Sequence, residues 1–120
     1  MFSNFQEYLE FFIEIGNKNP QIQQEVTNWN RIFQLKLDNT RCFNIIIKTK
    51  NFELNKRITS NPDVQIILNK ELALDLFYNE KDIIKSYLNK EIQISGNMGD
   101  VIKFRLISEI VREEIENHYF

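Results

Sequence analysis

Two glycines three residues apart, Gly96 and Gly99, interrupt the stretch IQISGNMGDVI between two apolar runs. A GxxG loop can clamp a nucleic-acid backbone, and a glycine-rich loop with a closing Lys-Ser/Thr cradles phosphates. This loop contains no Lys or Arg, and neither the Walker lysine nor the third glycine of a dinucleotide fingerprint follows it. We therefore interpret the stretch as a tight turn from a strand into a helix, with Asp100 as the helix N-cap.

Other residues that could carry chemistry are few and dispersed. His118 is the only histidine, Cys42 has apolar neighbours, and the carboxylates Asp63, Glu113 and Glu114 belong to a chain break and a helix surface. A metal site needs several ligands together, and a catalytic nucleophile needs a base within hydrogen-bond reach. The sequence therefore predicts a protein that is not an enzyme and that has no metal and no cofactor.

The bulk properties indicate one globular domain over residues 1–120. The chain is 42% hydrophobic and 27% charged with a net charge of −2, so it offers no basic face to nucleic acid. A single cysteine rules out an intrachain disulfide and suits a reducing compartment. Glu7 and Glu10 interrupt the start where a secretory signal would be apolar, and no apolar run approaches the ~20 residues of a membrane span. We expect a cytoplasmic protein.

The first quarter of the chain has helical periodicity. Ser3 and Gln6 form a capping-box pattern, Gly16 is placed to end the first helix, and Pro20 suits the first turn of a second helix. The apolar residues of the first helix recur at helical spacing: Phe5, Tyr8, Leu9, Phe12 and Ile15. Two helices should therefore precede the first strand.

The middle of the chain changes to a period of two, which is typical of strands with one buried face. Five segments alternate in this way, at positions 33–37, 43–47, 52–54, 64–68 and 92–95. Helical spacing returns in 72–77, in 83–88 behind a cap at Asn79, and in 101–111. Short connections favour antiparallel neighbours. The expected fold is α+β, with a five-stranded, mainly antiparallel sheet and helices packed on one face.

One face of the expected sheet carries an apolar side chain at every second position, and the helices return an apolar stripe of their own. The candidate site in this layer comprises Phe33, Leu35, Phe43, Ile45, Ile66, Leu68, Leu76, Phe77, Ile84, Tyr87, Leu88, Phe104 and Ile107. This pattern fits a filled core or a lined cavity equally well, because the same side chains leave water in both.

The run from Asn61 to Ile110 resembles the sterol carrier protein type 2 (non-specific lipid-transfer) domain family. An acidic residue, Asp63, opens an alternating strand, two helices follow, and Lys90 precedes a last alternating strand that ends in Gly96. The segment from Phe33 to Ile47 is similar to the first hairpin of that family. The resemblance thus covers roughly two-thirds of the chain.

Two departures from the family pattern bear on the fold. Asn89 stands where the family has a glycine before its lysine, and asparagine is the next-best residue for a left-handed helix stop. Residues 48–60 lack the glycines usual around the third strand. Large side chains there would narrow or fill the mouth of a cavity.

The resemblance implies a non-catalytic lipid-binding or lipid-transfer protein, with an apolar tunnel between sheet and helices. The tunnel would hold an acyl chain, an acyl-CoA or a sterol, the candidate site would line it, and Tyr87 would offer a polar tip. Such a carrier has a lipid or fatty acyl ligand as its partner, and transient membrane contact is compatible with it. The alternative is a protein-interaction or accessory domain with a filled core, forming a homodimer through an apolar patch at Phe11 and Ile13.

Overall fold

The structure, a computed structural model, describes residues 4–38, 41–57, 61–77 and 83–118. Its elements in chain order are α1 (Phe5–Lys18), α2 (Pro20–Glu25), β1 (Arg31–Leu37), β2 (Arg41–Lys48), β3 (Asn51–Asn55), β4 (Val64–Leu68), α3 (Lys70–Phe77), α4 (Ile83–Leu88), β5 (Gln93–Gly96) and α5 (Met98–His118). This order confirms the predicted α+β fold. The predicted cap residues Ser3 and Asn79 lie outside the described residues.

The five strands form one sheet in the order β3-β2-β1-β4-β5. Three neighbouring pairs are antiparallel, and β1 and β4 are parallel. Asp63 sets the start of the parallel pair: its N–H donates to the Ile32 carbonyl at 2.9 Å, and its carboxylate accepts the Ile32 N–H at 2.7 Å. The sheet is therefore mostly antiparallel, as predicted. Its one parallel pair arises because β4 lies beside β1 and not beside β3, the strand that precedes it in the chain.

The strand register brings the alternating apolar residues onto one face. Cross-strand pairs join the six residues expected to share it: Phe33, Leu35, Phe43, Ile45, Ile66 and Ile94. The first five are buried and Ile94 is half-buried. Because a slip of one residue would turn every one of them to the other face, this register confirms the predicted strand orientation.

The opposite face carries a row of hydrogen-bonded amides. Gln65 Nε2 donates to Gln34 Oε1 at 2.7 Å, Gln34 Nε2 donates to Asn44 Oδ1 at 3.2 Å, and Asn44 Nδ2 donates to the Arg57 carbonyl. Gln34 and Asn44 are buried although they alternate with core residues. The chain leaving β3 thus contacts this face at Arg57, and the amides satisfy one another as buried polar groups must.

Both long helices begin at an asparagine. Asn4 caps α1 with its side chain, and Asn97 Oδ1 accepts the N–H of Asp100 at 3.1 Å. The prediction that Asp100 is the cap of α5 is therefore wrong, because Asp100 is the third residue of the helix and lies in its first turn. Its carboxylate accepts hydrogen bonds from Arg31 Nε at 2.9 Å and Trp29 Nε1 at 3.1 Å, which ties the start of α5 to β1.

Helix α1 does not stop at Gly16, as the sequence pattern predicted, but runs on to Lys18. Gly16 is buried, and a Cβ at this position would lie 2.8 Å from the ring of Phe52. The glycine therefore allows close approach between α1 and β3 instead of ending the helix.

Candidate functional site

Aromatic rings fill the layer between the centre of the sheet and the long helices. Phe33 of β1 and Phe104 of α5 stack with centroids 4.4 Å apart. Phe12 of α1 and Phe77 of α3 lie 5.6 Å and 5.8 Å from the Phe104 ring. All four side chains are buried. This aromatic cluster, Phe12, Phe33, Phe77 and Phe104, holds α1, α3 and α5 on the sheet.

The structure divides the thirteen predicted site residues into two groups. Ten are buried in the interior: Phe33, Leu35, Phe43, Ile45, Ile66, Leu68, Leu76, Phe77, Phe104 and Ile107. The other three lie on α4, where Ile84 is half-buried against the core, Tyr87 is half-buried and Leu88 is 70% exposed. The predicted site is therefore packed around the aromatic cluster and open to solvent at α4.

An open cleft of about 660 Å³ lies between the C-terminal end of α4 and strand β5. Its lining residues are Tyr87, Leu88, Lys90, Ile92, Gln93, Ile94 and Ser95. Tyr87 and Leu88 belong to the predicted site, whereas the other five were not included in it. Ile92 and Ile94 alternate with the polar residues Gln93 and Ser95, and the two isoleucines were expected to face the helices. This alternation was the signal that could have placed β5 in the site.

The end of α4 shapes one wall of the cleft. Lys90 has a positive φ of 62°, and its N–H donates to the Tyr87 carbonyl at 3.0 Å. The Glu91 N–H donates to the Ser86 carbonyl at 2.9 Å, and together these bonds form a Schellman motif. The left-handed residue is therefore Lys90 and not Asn89, which corrects the expectation from the family pattern. The motif turns the chain sharply from α4 into β5.

Strand β5 ends at Gly96, next to the start of β4. This residue has a φ of 126°, and a Cβ here would lie 2.4 Å from the Asp63 carbonyl oxygen. Glycine is therefore required both by the backbone conformation and by the close approach of β4. The interpretation of this stretch as a strand-to-helix turn is confirmed, since α5 begins at Met98.

Two polar groups of the cleft are available to a ligand. Within the described residues, the Lys90 ammonium forms no ion pair and the Tyr87 hydroxyl forms no side-chain hydrogen bond. Ser95 is exposed at the same rim. The lining thus combines three aliphatic side chains, Leu88, Ile92 and Ile94, with four polar residues, Tyr87, Lys90, Gln93 and Ser95.

Reactive groups are scarce in the part of the chain that the structure describes. No group of three or more His, Cys, Asp or Glu residues there could hold a metal ion. Burial raises the pKa of the Cys42 thiol, and the nearby Lys36 charge opposes this only in part. A thiol with a raised pKa is a poor nucleophile at neutral pH. No described helix is long and apolar enough to cross a bilayer.

Comparisons with known proteins agree on the fold. The profile of the SCP-2 sterol transfer family matches residues 12–108. A search of curated protein sequences finds no match. Among solved structures, a UbiJ-SCP2 ubiquinone synthesis protein is similar with a TM-score of 0.71 and 7% identity, over 89% of each chain.

Two further structures extend this likeness. The sterol carrier protein domain 2 of Helicoverpa armigera has a TM-score of 0.65 and 19% identity, over 89% of this chain and 87% of that one. The sec-alkylsulfatase Pisa1 from Pseudomonas sp. has a TM-score of 0.63 and 9% identity, over 71% of this chain but only 14% of the enzyme. The same fold thus occurs as a separate domain and inside a larger enzyme.

Proposed function

The chain belongs to the SCP-2 sterol transfer family, and we propose that it is a non-catalytic lipid carrier that holds an acyl chain, an acyl-CoA or a sterol beside β5. The observation that supports this site is the open cleft of about 660 Å³, which is lined by both apolar and polar side chains. Its volume falls within the ~300–1,000 Å³ typical of small-molecule sites. A cytoplasmic location remains a prediction.

In this proposal the apolar part of the ligand lies against Leu88, Ile92 and Ile94. The polar head lies at the rim, where the Tyr87 hydroxyl and the Lys90 ammonium can reach it. An ammonium group without a protein partner favours a carboxylate or phosphate head by direct Coulombic attraction. Binding is non-covalent, so the ligand leaves chemically unchanged.

Helix α4 is the element that would move to admit a long chain. Its described part, Ile83–Leu88, buries Ile83 and Ser86. Two buried side chains hold this segment less firmly than the buried stripes of α1 and α5 hold those helices, so tilting it outward costs less than moving α1 or α5. Such a tilt would uncover Ile83 and Ser86, the residues that this segment now buries.

The expected affinity follows from chain length. A sixteen-carbon tail that buries about fourteen methylenes gains roughly 11 kcal/mol, at about 0.8 kcal/mol each. Association costs about 4–15 kcal/mol in lost translational and rotational freedom and in ordering. When the cost lies at the low end of this range, the net gain of about 7 kcal/mol corresponds to a dissociation constant on the order of 10 μM. An open cleft that covers only part of the tail would bind more weakly.

The test is titration of a fluorescent sixteen-carbon fatty acid with wild type and with Leu88→Glu. Leu88 is 70% exposed, so the substitution leaves the fold intact while it places a carboxylate on the apolar wall. We expect the variant to bind about tenfold more weakly, equivalent to ~1.4 kcal/mol. Gln21→Glu is the control, because it adds the same charge at an exposed position on α2. Absence of wild-type binding at tens of micromolar, or equal binding by Leu88→Glu, would contradict the proposal.

The packed aromatic cluster supports a second candidate, an interaction or accessory domain with a filled core. The N-terminal patch suggested for its dimer is smaller than expected, because Phe11 and Ile13 are half-buried and pack against the core. Native mass spectrometry of the protein purified from cells separates the two candidates. A co-purifying lipid favours the carrier, and a ligand-free dimer favours the interaction domain.

A further inference from the structure

Strand β3 forms one edge of the sheet, on the side away from β5. At every second residue of an edge strand, the backbone N–H and carbonyl point out of the sheet. At Phe52 these two groups are already bonded: the N–H donates to Asn17 Oδ1 at 2.6 Å, and the carbonyl accepts from Asn17 Nδ2 at 3.0 Å. The side-chain amide of Asn17 therefore occupies the place that a peptide group of a neighbouring strand would take.

The next outward pair of backbone groups belongs to Leu54. Leu54 lies opposite Ile45 of β2, as Phe52 lies opposite Ile47, so its N–H and carbonyl point the same way as those of Phe52. Among the described residues, neither group of Leu54 has a hydrogen-bond partner. An open donor and acceptor on a strand edge form a template for another extended chain.

A groove of about 420 Å³ lies beside this open position, between α1 and β3. Ile13 and Leu54 are its half-buried apolar residues, and Gln6, Glu10 and Lys56 complete the lining. Glu10 and Lys56 are exposed, and neither forms an ion pair within the part of the chain that the structure describes. Because the two charges are of opposite sign, the groove favours an occupant without a large net charge over a polyanion.

We propose that the β3 edge binds an extended peptide segment of a partner protein, which pairs with Leu54 as an added strand. The side chain opposite Leu54 then lies in the groove against Ile13, because paired residues share one face of the sheet, and it is therefore apolar. A second copy of this chain fits less well. Two-fold pairing of β3 with itself at Leu54 would bring Lys56 of each copy opposite Phe52 of the other, where Asn17 already holds the backbone groups.

The test begins with a phage-displayed library of random seven-residue peptides, selected on the wild-type protein. Each recovered peptide is then measured on Leu54→Pro and on the matched control Leu54→Ala. Proline removes the outward N–H without removing a bond to β2, whereas alanine shortens the side chain and keeps the N–H. Peptides of the β3 edge should bind Leu54→Pro about tenfold more weakly than Leu54→Ala. Recovery of no peptide, or equal binding of every peptide by the two variants, overturns the proposal.

A second measurement leaves the protein unchanged, so it does not depend on the folding of Leu54→Pro. A recovered peptide is synthesised with a methyl group on one backbone nitrogen at a time. Successive N–H groups of a strand point to opposite sides, so affinity should fall at alternate positions and change little between them. Loss at every position, or at none, contradicts pairing with the strand edge.

Fatty acid binding in the same samples separates this inference from the proposed function. The β3 edge and the cleft beside β5 lie at opposite sides of the sheet, so the fatty acid and the peptide should bind together without competition. Displacement of every recovered peptide by the fatty acid would assign the peptides to the cleft and overturn the proposal. A wild type that binds the peptide but no fatty acid refutes the carrier and supports the peptide site.

Discussion

The aromatic cluster and the cleft beside β5 are two halves of one predicted apolar layer, and they differ in packing. In the cluster, Phe33 and Phe104 are fully buried and stack at 4.4 Å. At the cleft, Tyr87 is half-buried and Leu88 is 70% exposed. Both halves have the same alternating or helical apolar pattern in the sequence. The pattern therefore identifies the residues that face the layer, but not whether other side chains fill the space.

The difference has a geometric cause. Helix α5 has 21 residues and α1 has 14, and the aromatic cluster joins both to the sheet. At the other side of the sheet, edge strand β5 has four residues, and the described part of α4, Ile83–Leu88, has six. Short elements bury few side chains and leave the edge incompletely covered. An edge of this kind is where a protein can open at low cost in free energy.

The largest effect should come from truncating the cluster. Phe104→Ala removes a ring that contacts Phe12, Phe33 and Phe77, and it should lower the free energy of unfolding by about 3–5 kcal/mol. Urea denaturation followed by circular dichroism measures this. A loss below about 1 kcal/mol would mean that the interior is loosely packed, and the contrast with the cleft would disappear.

The next largest effect concerns the end of β5. Gly96→Ala places a methyl group 2.4 Å from the Asp63 carbonyl oxygen in a backbone conformation with φ of 126°. We expect a loss of about 1–3 kcal/mol in the free energy of unfolding. Gly99→Ala is the comparison variant, since a Cβ there would lie 2.9 Å from the capping oxygen Asn97 Oδ1, a flexible side-chain atom, and should therefore cost less. Equal losses in the two variants would show that the β4–β5 contact does not shape the cleft.

A smaller effect of opposite sign is expected at the end of α4. Lys90→Gly relieves the cost of a side chain at φ of 62°, and it should raise the free energy of unfolding by about 0.5–1 kcal/mol. The same change removes the ammonium from the cleft rim, so an anionic fatty acid should bind more weakly. Thermal denaturation and fatty acid titration of one sample measure both. Tighter fatty acid binding would show that Lys90 does not face the head group.

The smallest effect should be Leu88→Ala. The side chain is 70% exposed, so its removal should change the free energy of unfolding by no more than about 0.5 kcal/mol. Fatty acid affinity should fall even though the free energy of unfolding does not. A residue of the open cleft would then affect binding alone, whereas a residue of the packed cluster affects stability. A loss of several kcal/mol in urea denaturation would place Leu88 in the core instead.

Much of the fold could be read from residue order because the signals are local. Alternation within each strand is a property of consecutive residues, so the shared face of Phe33, Leu35 and Phe43 followed directly. The same holds for the helical spacing of Phe5, Phe12 and their neighbours. The capping residue of α5 was harder to predict, because Asn97 and Asp100 are both good cap residues by type. Tertiary contacts with Arg31 and Trp29 hold the Asp100 carboxylate away from that role.

By itself, then, the sequence determined which residues leave water and in what order helices and strands form, since periodicity needs no knowledge of distant partners. Only the tertiary structure decided that Gln34 and Asn44 are buried and bonded to each other, with the Arg57 carbonyl beyond β3 accepting from Asn44. It also decided that the candidate site opens at α4 and β5. Whether an apolar layer is filled depends on which helix covers which strand and how far each extends, and those are contacts between residues far apart in the chain.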